Sequence, residues 1–238
     1  MKRLHGILFF LLLTASESVW AQASGDSSFS LLFNTSISFT HANDPHINRW
    51  LEKYGYPTEP HVPSSLNLEI AAIPVASSLM YSIKLSTITS GKNFSSFNIL
   101  GGLYSALIKK PDFLLYLGGG AGFHCDIITL NGNMPADYME LARQHGTAQL
   151  ALRRAGLFIE PAVKAFWYPL RIHNVQVGLF GGLGYDLDFN SRWRLGYYNN
   201  NHGQYSHFRG LKKPEDQRRV SEYGFSFNAG VSIRLNLH

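Results

Sequence analysis

Apolar and polar residues alternate with a period of two from about residue 28 to the C-terminus, and this pattern admits few folds. In the first run the odd positions are Phe29, Leu31, Phe33, Thr35, Ile37 and Phe39. The even positions are Ser30, Leu32, Asn34, Ser36, Ser38 and Thr40. Successive side chains of a β-strand point to opposite faces, so such a run predicts a strand with one apolar and one polar face. The last run repeats the pattern, with Phe225, Phe227, Ala229, Val231, Ile233, Leu235 and Leu237 set against Ser226, Asn228, Gly230, Ser232, Arg234 and Asn236. Eight runs are expected, at about 28–40, 64–74, 79–89, 95–107, 113–127, 153–168, 174–189 and 223–237. Most exceed the ~5–6 residues usual for soluble strands, and several exceed the ~9–11 that cross a bilayer when tilted.

The residues ahead of the first run have the make-up of an export signal. Lys2 and Arg3 precede the apolar stretch Ile7–Leu13, and Val19-Trp20-Ala21 forms a cleavage motif, so residues 1–21 are expected to be removed and 22–238 to form the mature chain. The apolar stretch is well short of the ~20 residues of a spanning helix, and no later stretch approaches that length. An α-helical membrane protein is therefore excluded. A content of 13% aromatic and 16% charged residues excludes a disordered chain. The single cysteine, Cys125, excludes an internal disulfide framework and any multi-cysteine metal or iron–sulfur centre.

A soluble barrel or sandwich would alternate in the same way with its apolar face inward, so other features must choose between the two. The connections 75–78, 108–112 and 169–173 are short, whereas 41–63, 128–152 and 190–222 are long, and only the one near 90–94 breaks this rule. Short turns at one end and long loops at the other characterise membrane barrels. The polar phase contains Gly118, Gly120, Gly122, Gly178, Gly182 and Gly184, which suit a crowded interior. The apolar phase ends in aromatics: Phe113, Trp167 and Phe29 at one end, Phe39, Phe123, Tyr185, Phe189 and Phe225 at the other, as expected of two interfacial girdles. The expected fold is all-β, a closed antiparallel transmembrane barrel of about eight strands with short helices in its external loops.

In this pattern, over about residues 28–238, the chain resembles the small eight-stranded bacterial outer-membrane β-barrel proteins. The resemblance implies residence in the outer membrane, a monomer among lipid and lipopolysaccharide, and biogenesis through the barrel-assembly machinery. Those proteins usually end in an aromatic residue, whereas this chain ends Leu235-Asn236-Leu237-His238.

An eight-stranded barrel is just wide enough for its side chains to fill. The polar-phase charges Glu69, Lys84, Glu160, Lys164, Asp186 and Arg234 are therefore expected to form an internal ion network, not a conduit. Glu160 and Lys164 lie ~13 Å apart along one strand, so their partners are expected among Lys84, Glu69 and Arg234. His124 and Asp126 share the inward phase and could act as a base and its orienter, although packing is the simpler reading. Cys125 faces the other way, which separates it from His124. Gly118-Gly119-Gly120-Ala121-Gly122 lies within a strand and lacks the features of a phosphate loop. The histidines of the long loops and their edges, His41, His46, His61, His145, His202 and His207, show no metal-ligand spacing. No cofactor, metal ligand set, catalytic constellation or nucleic-acid partner is expected.

The loops carry more information. Asp44-Pro45 and Gly55 bracket Ile47, Trp50, Leu51 and Tyr54, predicting a capped helix with one apolar stripe that covers the barrel mouth or anchors a partner. A second short helix is expected at 135–144. Loop 190–222 holds Arg192, Arg194, Arg209, Lys212, Lys213, Arg218 and Arg219 among aromatics, against Glu215, Asp216 and Glu222. Arg209, Lys212, Lys213, Arg218 and Arg219 are candidate contacts to lipopolysaccharide, and a solvated loop without a ligand is the equal alternative. The expected role is non-enzymatic: an envelope-structural or surface-binding barrel. The alternatives are a lipid A deacylase or acyltransferase, for which Ser206-His207 and His41 are isolated candidates, and an accessory role in transport or secretion.

Overall fold

Strongly β-forming alternation needs a partner on each strand edge, and a barrel supplies one to every strand. The computed structural model describes residues 28–41, 45–53, 55–56, 64–90, 94–130, 140, 143, 150–189, 193–199, 204–207 and 223–237. Its elements are β1 (Phe29–His41), α1 (Pro45–Lys53), β2 (Ser64–Pro74), β3 (Leu79–Ser90), β4 (Phe94–Lys109), β5 (Phe113–Leu130), β6 (Leu150–Ile172), β7 (Val175–Phe189), β8 (Arg194–Asn199), β9 (Gln204–His207) and β10 (Tyr223–Leu237). Consecutive strands β1 to β7 pair with one another, β7 pairs with β10, and β10 closes the cylinder against β1. All eight contacts are antiparallel.

Exposure settles which phase faces out. Along β2, Leu68 and Ile70 are 54% and 56% exposed, whereas Glu69 between them is 4% exposed. The same inversion holds round the cylinder: Ile37, Ile83, Leu103, Leu117, Val163, Leu183 and Val231 are exposed, while Asn34, Asn67, Ser82, Lys164 and Ser232 are buried. A soluble barrel buries its apolar phase. This one presents a continuous aliphatic outside that only lipid would cover without cost.

The strands run beyond the sequence-predicted ends where the alternation is interrupted. A bulge between Ala106 and Ile108 shifts the phase at the end of β4, and a second between Trp167 and Leu170 does so in β6. At the other end of β6, Leu150, Ala151 and Leu152 are buried in succession, because both faces are covered there. The expected connection 190–222 is not wholly loop. β8 continues the line of β7 along β6, and β9 folds back on β8. With β5 and β6 they raise a four-stranded extension at the long-loop end.

Helix α1 forms where its caps predict. Gly55 has φ 72°, its N–H donates to Glu52 O at 3.0 Å, and Tyr56 N–H donates to Leu51 O at 2.9 Å. This double bond pattern is a Schellman motif, and its two apolar ends, Leu51 and Tyr56, are both buried. They pack with Ile128, Leu130, Leu150, Leu152 and Trp193 of the extension. Burial raises the Tyr56 phenol above the usual tyrosine range. Gly55→Ala forces a Cβ into left-handed backbone and should cost ~1–2 kcal/mol. The expected readout is faster hydrogen exchange at the α1 amides with unchanged protection of the barrel strands. The helix expected at 135–144 lies outside the described residues save Glu140 and Arg143, which form an ion pair at 2.8 Å. The export signal expected at 1–21 also lies outside them.

Candidate functional site

The interior is built in layers, each fixed by strand register. Nearest the short turns is an apolar plug containing Leu32, Ile73, Met80, Leu114, Tyr116, Phe166, Tyr168 and Phe180. Phe166 stacks between Tyr168 and Phe180, with ring centroids 6.3 and 5.6 Å away, and meets Tyr116 edge-on. These rings share the inward phase with the glycines and charges. Two of those glycines exist because of close approach: a Cβ on Gly118 would lie 2.3 Å from Leu103 O, and one on Gly122 would strike Ile99 O and the Phe158 ring. Small residues here let large inward side chains lie across neighbouring strands.

The second layer is ionic. Glu69 on β2 and Lys84 on β3 are register partners, and each reaches across the lumen to β6. Lys164 Nζ donates to Glu69 Oε1. Lys84 Nζ donates to Glu160 Oε2 at 2.7 Å and to Oε1 at 2.9 Å. Glu160 and Lys164 of β6 thus each pair with an opposite charge on the β2–β3 wall, giving two crossed ion pairs. Asn34 Nδ2 donates to the other Glu69 oxygen at 3.2 Å, and the Lys164 ammonium lies 4.2 Å from the centre of the Tyr104 ring. Asp186 on β7 lies beside Glu160 and Lys84. Arg234 stands apart from these carboxylates: it sits at the short-turn end and donates to Ser30 Oγ at 3.2 Å.

A third layer lies towards the long loops. His124 Nδ1 is 2.8 Å from Asp126 Oδ2, and its Nε2 is 3.2 Å from Asp188 Oδ2 on β7. Asp126 also accepts from Arg154 Nε at 2.9 Å and Nη2 at 2.6 Å. The guanidinium of Arg154 lies under Trp193, 4.9 Å from the ring centre. His124 and Asp126 therefore meet as their shared phase predicts, but their environment is that of a closed ion cluster. Both ring nitrogens face carboxylates, one carboxylate is held by arginine, and the group is roofed by an indole. A general base needs access to a substrate proton, and the His124 side chain is 8% exposed. Cys125 points outward, where it accepts from Arg153 Nε at 3.3 Å.

Arg154, Asp188, Tyr104 and the aromatic plug are the interior residues that the sequence reading passed over. Their parity was the available signal, since each shares the inward phase of a glycine, serine or charge on its own strand. The candidate lipopolysaccharide contacts Arg209, Lys212, Lys213, Arg218 and Arg219 lie outside the described residues. So do the side chains of His41, Ser206 and His207.

No protein-family model matches the chain, and no curated protein sequence matches it. Among solved structures it is similar to Neisserial surface protein A, NspA, with a TM-score of 0.46 and 9% identity over 89% of this chain and 100% of that one. It is similar to the outer membrane protein OprG from Pseudomonas aeruginosa, with a TM-score of 0.41 and 9% identity over 89% and 96%. It is also similar to the N-terminal β-barrel domain of Pseudomonas aeruginosa OprF, with a TM-score of 0.39 and 9% identity over 87% and 97%.

Proposed function

We propose that this chain is an integral outer-membrane barrel that neither conducts nor catalyses through its lumen and acts by way of its long-loop face. The observation that carries this reading is the side-chain seal across the interior. Lys164, Tyr104, Tyr116 and Phe166 point into the barrel and are at most 1% exposed, so no water column runs past them. With the interior closed and the wall clad in aliphatic residues, the surface left for recognition is the four-stranded extension, α1 and the loops between them.

Lipopolysaccharide is the partner this reading favours. Loop 190–222 carries seven of the chain's 21 lysines and arginines, interleaved with Trp193, Tyr197, Tyr198, Tyr205 and Phe208. Cations recognise phosphate and acidic sugar, and aromatic rings cover sugar faces or sit at head-group level. Replacing Arg209, Lys212, Lys213, Arg218 and Arg219 by Ser should leave folding intact and reduce retention of lipopolysaccharide at low salt. Equal retention by the variant and the parent would defeat the loop assignment. The lipid A-modifying alternative predicts an altered lipid A mass spectrum in cells that carry the protein, whereas the binding role predicts none.

The sealed lumen makes its own prediction. Reconstituted in a planar bilayer, the protein should give no stable large conductance. Steady porin-like current would show that the ionic layer opens and would overturn the reading.

A further inference from the structure

We propose that the short-turn mouth of the barrel, at the opposite end from the loops, is a cup that binds a phosphate oxyanion. The cup begins with a row across three adjacent strands. Arg171 on β6 pairs in register with Gln176 on β7, which pairs in register with Arg234 on β10. Residues directly opposite in an antiparallel ladder share a face. Gln176 is buried in the inward phase, so all three belong to the inner side of the rim. The bulge between Trp167 and Leu170 is what brings Arg171 there, since without the phase shift an odd residue of β6 would face lipid.

The row contains unspent hydrogen-bonding capacity. Arg234 uses Nη2 on Ser30 Oγ, but its Nε–H is buried without a partner among the described residues. Among the described residues the hydroxyl of Tyr116 is likewise without a partner, on a fully buried side chain. Gln176 is pinned by donation from Nε2 to Pro111 O at 3.1 Å, and its Oε1 has no partner among the described residues. Such atoms occur along the whole lumen, and Arg234 Nε, Gln176 Oε1 and the plug hydroxyl of Tyr116 are those at the short-turn end, where a polar ligand entering from the mouth would answer them.

The electrostatics give its sign. Lys109, Lys110, Arg171 and Arg234 gather at this end against one carboxylate among the described residues, Asp112 of the β4–β5 turn, and none of the four cations takes part in an ion pair among those residues. Lys109 is anchored by donation to Val75 O at 2.9 Å and Ser77 O at 2.7 Å, which holds its charge over the β2–β3 turn. Two guanidiniums and a phenol offer more donors than a carboxylate accepts, and they match the tetrahedral spread of phosphate oxygens. Gln176 Oε1 adds an acceptor for an O–H, which hydrogen phosphate and a glycerol headgroup both carry. The aromatic plug closes the floor beneath Arg234, so the site is a cup and not the entrance to a path.

Two sources could supply this chemistry. Leu107, Leu170 and Ile172 are exposed on the outer side of the same rim, at the level where an anionic phospholipid would place its headgroup. Free phosphate in the aqueous phase could enter directly. The proposal does not depend on the loop-face reading and can hold if that reading fails.

The test uses the full chain, refolded in an uncharged maltoside detergent and titrated separately with inorganic phosphate and with a short-chain phosphatidylglycerol, with binding read by calorimetry. Saturable binding is expected for at least one probe, with a decline as salt is raised. Arg171→Gln, an exposed change that leaves the interior packing alone, should weaken binding about tenfold or more, because a charge-assisted contact is lost. Tyr116→Phe, which removes only the orphan hydroxyl, should weaken it severalfold. Binding of phosphatidylglycerol without inorganic phosphate assigns the cup to the lipid, and binding of inorganic phosphate assigns it to the free ion. If neither probe saturates, or if Arg171→Gln and Tyr116→Phe both bind as tightly as the parent, the proposal is wrong.

Discussion

Lys164→Met should lower the unfolding free energy by about 3–5 kcal/mol, the range for breaking a buried ion pair from one side. Lys164 is 1% exposed, and its ammonium donates to Glu69 and rests on the Tyr104 ring. Its loss leaves a buried carboxylate answered by Asn34 and flanked by Ser82 and by its register partner Lys84, whose own charge is committed to Glu160. The change keeps the volume of the side chain, which isolates the charge from the packing. Removing both ends tests the assignment further. Lys164→Met with Glu69→Leu should recover most of the loss, because two desolvated charges replaced by apolar groups of similar size are often neutral or better. Urea unfolding in lipid vesicles, followed by tryptophan fluorescence, would give both values. A loss below about 1 kcal/mol for both Lys164→Met and the Lys164→Met, Lys84→Met double variant would mean that Glu69 is answered by water, since exposed pairs contribute that little. The lumen would then be hydrated and the proposed seal would be absent.

That layer shows how far the sequence reaches. Glu160 and Lys164 lie four residues apart on one face of a strand, and that spacing alone denies them each other as partners. It does not say whether Lys84, Glu69 or Arg234 answers them, because the choice depends on which strands stand across the lumen and how their registers are set. The structure pairs β2 and β3 with the opposite wall and leaves Arg234 at the rim. The plug is a different case. Tyr104, Tyr116, Phe166, Tyr168 and Phe180 have the inward parity of their strands, but an aromatic residue in a polar phase is easily read as an interruption. In a narrow barrel with glycines opposite, it is the filling. Leu32, assigned to the polar set of the first run, is fully buried in that plug. The rim row at Arg171 was hidden for a further reason, since a bulge reverses parity and no composition marks where it falls. Helix α1 was legible because its stop signal is local: Gly55 supplies the left-handed residue that the cap requires.

Val231→Arg is the corresponding test of the outer wall and should cost about 2–4 kcal/mol in a bilayer, the range for arginine at the midplane of a barrel's lipid face. Val231 is 48% exposed near the middle of β10, between Thr35 of β1 and Leu179 of β7 in the outward phase. Val177 has the same orientation but pairs with Ile233 and Leu170 close to the short turns, so Val177→Arg should cost only ~0–1 kcal/mol, as at an interface. Its expected tolerance follows from depth, not from its face. The neighbour of Val231 separates lipid exposure from packing. Ser232 is fully buried and its Oγ lies 2.9 Å from the Tyr168 hydroxyl, so Ser232→Arg has no space for its side chain and fails by steric overpacking. That loss should be of similar size in maltoside micelles and in vesicles, because lipid plays no part in it. The cost of Val231→Arg should instead rise as vesicle lipids are lengthened, since a thicker hydrocarbon core leaves the guanidinium a longer reach to the head groups. A cost for Val231→Arg that equals that of Val177→Arg and is insensitive to lipid length would mean that this face does not meet hydrocarbon, and the membrane placement would fall with it.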